Sequence, residues 1–178
     1  MRAVTDGPTD SPDPIPEDEF LARLWQLGPV IAKGAPHSAH LGIRFVSVGL
    51  GGEGVQGRAS LALPYKAELV GDTATGVMHG GAVTTLLDQC CGFAATAGFR
   101  RPVGVATLDL RIDYQRAARP KETVIAVAEC YKTTTHIAFL RGIAHTGDES
   151  DPVATCLGKF IANPLPDGMD ARVEASDG

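Results

Sequence analysis

Residues 76–98 read "GVMHGGAVTTLLDQCCGFAATAG", and this stretch decides the fold. From Ala82 to Ala97 apolar side chains cover most of a helical circumference, which predicts a long helix surrounded by other protein. Asp88 is the only side chain with a formal charge between Asp72 and Arg100. A carboxylate inside an apolar helix is costly to keep ionised unless something nearby compensates it. Asp88 therefore either reaches water or is there to do chemistry.

Working outward toward the N-terminus, residues 64–78 read as a loop. Before it, "HLGIRFVSVGLGGEGVQGRASLAL" (residues 40–63) reads as two strands around a turn rich in glycine, at Gly49, Gly51, Gly52 and Gly54. Further upstream, Phe20, Leu21, Leu24, Leu27 and Ile31 fall at helical spacing, with acids in the first turn and Gly34 after the end. On the other side of the central helix, "VATLDLRIDYQ" (residues 105–115) alternates cleanly. Ala106, Leu108, Leu110, Ile112 and Tyr114 share one face, and Thr107, Asp109, Arg111, Asp113 and Gln115 share the other. "ETVIAVAECYK", "THIAFLRGIAH" and "PVATCLGKFIA" follow at regular intervals, which predicts an antiparallel meander of four successive strands. The expected class is α+β, an antiparallel sheet wrapped around one long apolar helix. Residues 1–16, rich in Pro, Asp, Thr and Ser, read as a mobile arm. Residues 17–163 read as a single domain, and 164–178 as a flexible tail.

A chain of 178 residues with 44% apolar content is long enough for one ordinary core. The formal charge of -5 gives no whole-protein basic field, so nucleic acid and anionic membrane are not expected partners. No apolar run approaches the roughly 20 residues of a membrane span, and the first 20 residues lack a signal peptide's apolar segment. Cys90, Cys91, Cys130 and Cys156 form no C-x-x-C pair and read as reduced thiols of a cytoplasmic protein. His37, His40, His136 and His145 are scattered without metal-ligand spacing, so no metal site is expected.

"HGGAVTTLLD" (79–88) followed by "ATLDLRIDYQRAA" (106–118) resembles the hotdog-fold acyl-CoA thioesterases, in particular the PaaI-like branch of the phenylacetate pathway that includes 4-hydroxybenzoyl-CoA thioesterases. The resemblance runs from about Gly42 to Phe160. It implies the hotdog fold, hydrolysis of an aryl- or medium/long-chain acyl-CoA, and no cofactor, because coenzyme A is part of the substrate. It also implies roles residue by residue. Gly80 offers its backbone N–H to the thioester carbonyl, Asp88 acts as nucleophile or general base, and Thr107 helps to position the water or the acid. Where the family commonly has Asn, six residues before the histidine, this chain has Thr73, which can still donate a hydrogen bond.

Thioester hydrolysis needs a place for the oxygen that becomes negative, and a helix N-terminus presents unsatisfied N–H groups and the positive end of the dipole. Gly80 and Gly81 allow a substrate to approach the backbone closely, and Gly80 is the better oxyanion candidate. Nine helical steps from His79 to Asp88 cover about 13 Å along the axis, so one chain can hardly use both at one carbonyl. A two-fold dimer resolves this by letting Gly80 of one subunit face Asp88 of the other. The resemblance implies the same shared site, in dimers assembled into a tetramer. Asp88 could instead bond a hydroxyl one turn back, at Thr84 or Thr85. His79 is a catalytic candidate by position, but a histidine at a helix entrance more often anchors the loop. Cys90 and Cys91 read as core packing rather than nucleophiles. Arg100 and Arg101, and Arg116, Arg119 and Lys121, form two basic clusters suited to the phosphates of coenzyme A. The rival readings are a hotdog dehydratase or hydratase using a histidine and an acid as a proton-transfer pair, and a non-catalytic acyl-CoA-binding regulator.

Overall fold

Asp18 starts the first ordered element because its carboxylate accepts the Leu21 N–H at 3.0 Å, capping a helix that runs Glu19–Gly34 (α1). The computed structural model describes residues 15–165. The expected arm at 1–16 and tail at 164–178 lie almost wholly outside the described residues. Pro36 at the first helical position and Gly42 in the left-handed conformation then bound a short helix, Pro36–Leu41 (α2). Two strands follow, Arg44–Gly49 (β1) and Gly57–Leu63 (β2), paired antiparallel. The segment read as a loop holds a 3-10 turn at Ala67–Leu69 and a two-stranded hairpin, Val70–Asp72 (β3) and Val77–Met78 (β4). The central helix runs Gly80–Phe99 (α3). Four strands complete the chain: Gly104–Tyr114 (β5), Val124–Thr133 (β6), Ile137–His145 (β7) and Ala154–Asn163 (β8).

The six long strands form one antiparallel sheet in the order β1-β2-β6-β7-β8-β5, with α3 lying against it. Leu86, Leu87, Cys90, Cys91, Ala94 and Ala95 of α3 are fully buried on Leu61, Leu63, Val124, Ala126 and Leu140 of the sheet. Each leucine so removed from water stabilises the fold by about 1.5–3 kcal/mol. At one end of the sheet, Trp25 of α1 meets Phe45 edge-on at 6.2 Å, and Phe45 tilts against Phe93 of α3 at 5.4 Å.

The meander holds only for β6, β7 and β8. The strand expected to open it, β5, pairs with β8 at the far edge, while β6 inserts beside β2. Burial decides the placement. Val124, Ala126, Val127, Ala128 and Cys130 are buried, so β6 lies under the middle of α3 and belongs in the centre. β5 carries Asp109, Arg111 and Asp113, all exposed, and suits an edge.

Candidate active site

The β3–β4 hairpin delivers the chain to α3 in a fixed direction. His79 N–H donates to the Leu69 carbonyl at 2.7 Å, and the His79 side chain caps the helix by accepting the Gly81 N–H on Nδ1 at 2.9 Å. Nδ1 is thus the acceptor nitrogen of the ring. The Gly80 N–H, first of the helix amides without an intrahelical partner, meets no acceptor among the described residues. From the end of β5, the Tyr114 hydroxyl donates to the Gly80 carbonyl at 2.6 Å, and Thr84 Oγ1 lies 2.8 Å from Tyr114 Oη. With the Tyr114 proton engaged on Gly80, Thr84 is the donor of that second bond.

Two turns further on, Asp88 is half-buried, and its Oδ1 accepts a hydrogen bond from Thr107 Oγ1 at 2.6 Å. Oδ2 has no donor among the described residues. The partner is neither Thr84, which bonds Tyr114, nor Thr85, which donates back to the Gly81 carbonyl at 3.0 Å. The alternation read along β5 is broken here. Thr107 pairs with Phe160 but Asp109 already pairs with Lys159, so Leu108 is bulged out of the ladder. The bulge moves Thr107 onto the face of Leu110 and Ile112, which lie opposite Gly158 and Cys156 on the core side of β8. A regular strand would have turned Thr107 away from Asp88.

Gly80 and Asp88 are eight residues apart on one helix, about 12 Å along its axis. A single protomer therefore does not bring the free amide and the carboxylate together. Thr73 is exposed in the turn between β3 and β4, where Asp72 accepts from Ala74 N–H at 3.0 Å and Thr75 Oγ1 at 2.7 Å. Those bonds hold the Asp72 carboxyl below the usual carboxylate range.

Because α3 is about 30 Å long, the two basic clusters lie at opposite ends of it. Arg100, left-handed at the helix C-terminus, pairs with the Asp18 carboxylate of α1. Arg101 donates to the Thr135 carbonyl at 3.2 Å and lies 5.7 Å over the Phe99 ring. At the other end, Arg116 braces the β7–β8 connection, reaching the Asp151 carbonyl at 2.6 Å and its carboxylate at 2.9 Å. Arg119 is open, its side chain 66% exposed, with Glu122 at 3.9 Å.

The cysteines offer no nucleophile. Burial pushes the Cys90 thiol far up and that of Cys130 up to about 11. Cys91 and Cys156 share a hydrogen bond at 3.8 Å that, together with burial, pushes the Cys91 thiol up; the same bond pulls that of Cys156 down, but Cys156 is itself buried in the core away from any substrate. Among the described residues no group of three or more His, Cys, Asp or Glu side chains could hold a metal ion, and no helix is long and apolar enough to cross a membrane.

A cleft of about 330 Å³ opens beside the start of α3, walled by Val77, Met78, Gly80, Val83, Tyr114 and Ala118. A larger one, about 480 Å³, lies between α1 and β1, against Asp18, Leu21, Ser47 and Leu50. It contains none of the residues of the His79–Asp88 constellation, and the smaller cleft is the one next to the free amide. Tyr114, a wall of that cleft, was the residue the sequence marked only as a strand position. Its signal was a lone phenol at the end of an edge strand, where a hydroxyl can reach a helix terminus.

The chain matches the thioesterase superfamily over residues 75–153, a span that holds His79, Gly80, Asp88, Thr107 and Tyr114. A Pseudomonas aeruginosa protein of solved structure is 33% identical to it, over 80% of this chain and 98% of that one, with a TM-score of 0.64. A mutant of the phenylacetic acid degradation protein PaaI from Thermus thermophilus is 25% identical, over 71% of this chain and 97% of that one, with a TM-score of 0.58. A Halobacterium salinarum protein named as an esterase is 38% identical over 66 residues, which is 35% of this chain. The chain spans only 44% of that relative's length. With a six-stranded antiparallel sheet packed on one long helix, the chain belongs to the thioesterase superfamily, as a hotdog-fold member of the PaaI-like type.

Proposed function

We propose that the protein hydrolyses acyl-CoA thioesters to the free acid and coenzyme A, with Asp88 as general base and the Gly80 N–H as oxyanion donor. The observation that carries this reading is the pairing on one helix of a carboxylate held by Thr107 at 2.6 Å with an unpartnered N-terminal amide. Thr107 fixes Oδ1, which leaves Oδ2 to take the proton of a water attacking the thioester carbon. The carbonyl oxygen gathers negative charge against the Gly80 N–H, where the positive helix end favours it. Collapse of the intermediate breaks the C–S bond, and the coenzyme A thiolate leaves and takes up a proton.

The separation of about 12 Å between the two groups makes the site one shared across a two-fold axis. β5 supports this, since it is a free edge of eleven residues with Leu108 and Tyr114 about half exposed. Pairing of two β5 edges would continue the sheet and cover both. Such dimers can stack further into a tetramer. The cleft beside Gly80 suits an aryl or medium-chain acyl group by size and by its apolar walls. Arg119 stands open at that same end for a coenzyme A phosphate, with Arg116 bracing the loop beneath it. Arg100 and Arg101, at the other end of α3, can serve only a site that reaches them from the partner subunit. Buried free thiols suit a reducing compartment, which supports a cytoplasmic reaction.

A dehydratase would pair a histidine with an acid. Here His79 Nδ1 is committed to the Gly81 N–H, and Asp88 lies nine residues away along the helix. The test is thiol release from a panel of aryl-, medium-chain and long-chain acyl-CoA substrates. We expect turnover with at least one class, and a purified dimer inactive on every thioester would refute the proposal.

A further inference from the structure

One peptide group at the start of α3 is held from both sides. The carbonyl of the Gly80–Gly81 peptide accepts the Tyr114 hydroxyl at 2.6 Å, and its N–H donates to His79 Nδ1 at 2.9 Å. Thr84 fixes the Tyr114 hydroxyl in turn, at 2.8 Å. Both glycines are moulded to these two partners. A Cβ on Gly80 would lie 3.2 Å from Tyr114 Oη and 3.3 Å from its Cζ, and a Cβ on Gly81 would lie 2.9 Å from His79 Nδ1. Two consecutive glycines give the first turn of a helix little stiffness of its own, since glycine has the widest backbone freedom. The conformation of this turn is therefore set by side chains from outside it.

We propose that Tyr114 and His79 are positioning residues, a two-sided clamp on the Gly80–Gly81 peptide that fixes the direction of the neighbouring Gly80 N–H. This rests on the oxyanion role of that amide. An oxyanion donor is effective only when it is already aimed where charge develops, because no reorganisation is then needed during the reaction. The clamp supplies that aim to a glycine pair, and it does so without occupying the Gly80 N–H itself. Tyr114 has a second position in the same device, because its ring also walls the acyl cleft. The hydroxyl sets the donor while the ring shapes the space beside it.

The two roles separate in the Tyr114→Phe variant, which keeps the ring and loses the bond. We expect kcat to fall about 10- to 100-fold, the range for outer groups that orient reacting ones, with KM and melting temperature close to wild type. Thr84→Val, which leaves the ring and its hydroxyl in place, should lower kcat in the same direction by less. His79→Ala should lower kcat, and His79→Asn, whose side chain remains a good helix cap, should recover part of that loss. Equal loss in both His79 variants would instead mark His79 as a chemical acid or base and overturn its part in the clamp. Amide resonances of Gly80 and Gly81 in labelled protein give a readout independent of turnover. They should shift in Tyr114→Phe, and unshifted resonances with wild-type kcat would overturn the proposal. An inactive wild type with shifted resonances would refute the hydrolase reading while leaving the clamp standing.

Discussion

Asp88→Asn is the substitution that isolates chemistry from structure. Asparagine keeps an Oδ1 where the carboxylate has one, so Thr107 can still donate across the 2.6 Å contact that ties α3 to β5. What disappears is the basic Oδ2, replaced by an amide that cannot accept a proton. Loss of a general base costs at least about 10²-fold in kcat, with KM little changed because no substrate contact is removed. The structural cost is small. A hydrogen bond to a charged acceptor contributes about 1.5–3 kcal/mol and to a neutral one about 0.5–1.5, so exchanging one for the other at a half-buried site removes about 1 kcal/mol. For a domain of this size that lowers the melting temperature by about 2–4 °C. Asp88→Ala, which leaves the Thr107 hydroxyl without its acceptor, should melt lower than Asp88→Asn while being no less active. Thiol release and thermal melts on both variants decide the matter. Wild-type turnover in Asp88→Asn would end the general-base assignment whatever the melting temperatures.

Other parts of the molecule lead to three further outcomes. Leu86 is fully buried under α3, so Leu86→Ala should cost about 2–5 kcal/mol in urea unfolding; a loss under about 1 kcal/mol would mean the helix does not pack as described. His145 is buried and its Nδ1 accepts the Gly147 N–H at 3.2 Å, and burial lowers its proton affinity below the ordinary value of 6.5 despite the nearby Asp148 and Glu149, with Arg116 acting in the same direction as burial. The unfolded chain therefore takes up this proton first as pH falls, so stability should decline from about pH 6.5 downward and level off below the folded value, and His145→Gln should flatten that part of the profile. The lowered carboxyls of Asp72 and Asp148 act in a separate window, below their ordinary value of 3.8. A charge at exposed Leu108, in Leu108→Glu, should shift sedimentation from dimer toward monomer and lower activity in step; a fully active monomer would refute the shared site.

The long elements were legible because burial writes a simple period. Ala82–Ala97 was readable as helix from its apolar content, and the structure extends it by two residues at each end, where His79 caps one terminus and left-handed Arg100 the other. Four strands followed from their β-branched and apolar runs. Pro36–Leu41 was missed because six residues are too few to show a helical period, and the β3–β4 hairpin because its strands have three and two residues. Strand order was a harder matter. Period-two patterns say which face of a strand is buried, and only a comparison of β6 with β5 says that the former needs neighbours on both sides.

The site shows the same division, and the bulge at Leu108 is its sharpest case. Read as a regular strand, β5 puts Thr107 with Asp109 and Arg111, on the side away from the helix, so the sequence pattern and an Asp88–Thr107 partnership contradict one another. One unpaired residue removes the contradiction, because it turns the first half of the strand over relative to the second. Leu110 and Ile112 continue to pack on the core while Thr107 is brought to the carboxylate. Nothing in the alternation forecasts the extra residue, since Leu108 is as apolar as Leu110 and Ile112; its exposure of 56% is visible only once the strand is folded. Deleting Leu108 would make Thr107 and Asp109 neighbours, so a continuous ladder would still set Thr107 opposite Phe160, on the face of Leu110, with its bond to Asp88 kept. The expected result is a folded protein with kcat close to wild type, whereas Thr107→Val, which removes the donor, should lower kcat. A deletion variant with kcat as low as that of Thr107→Val would refute the view that Thr107 serves the carboxylate through the face it occupies.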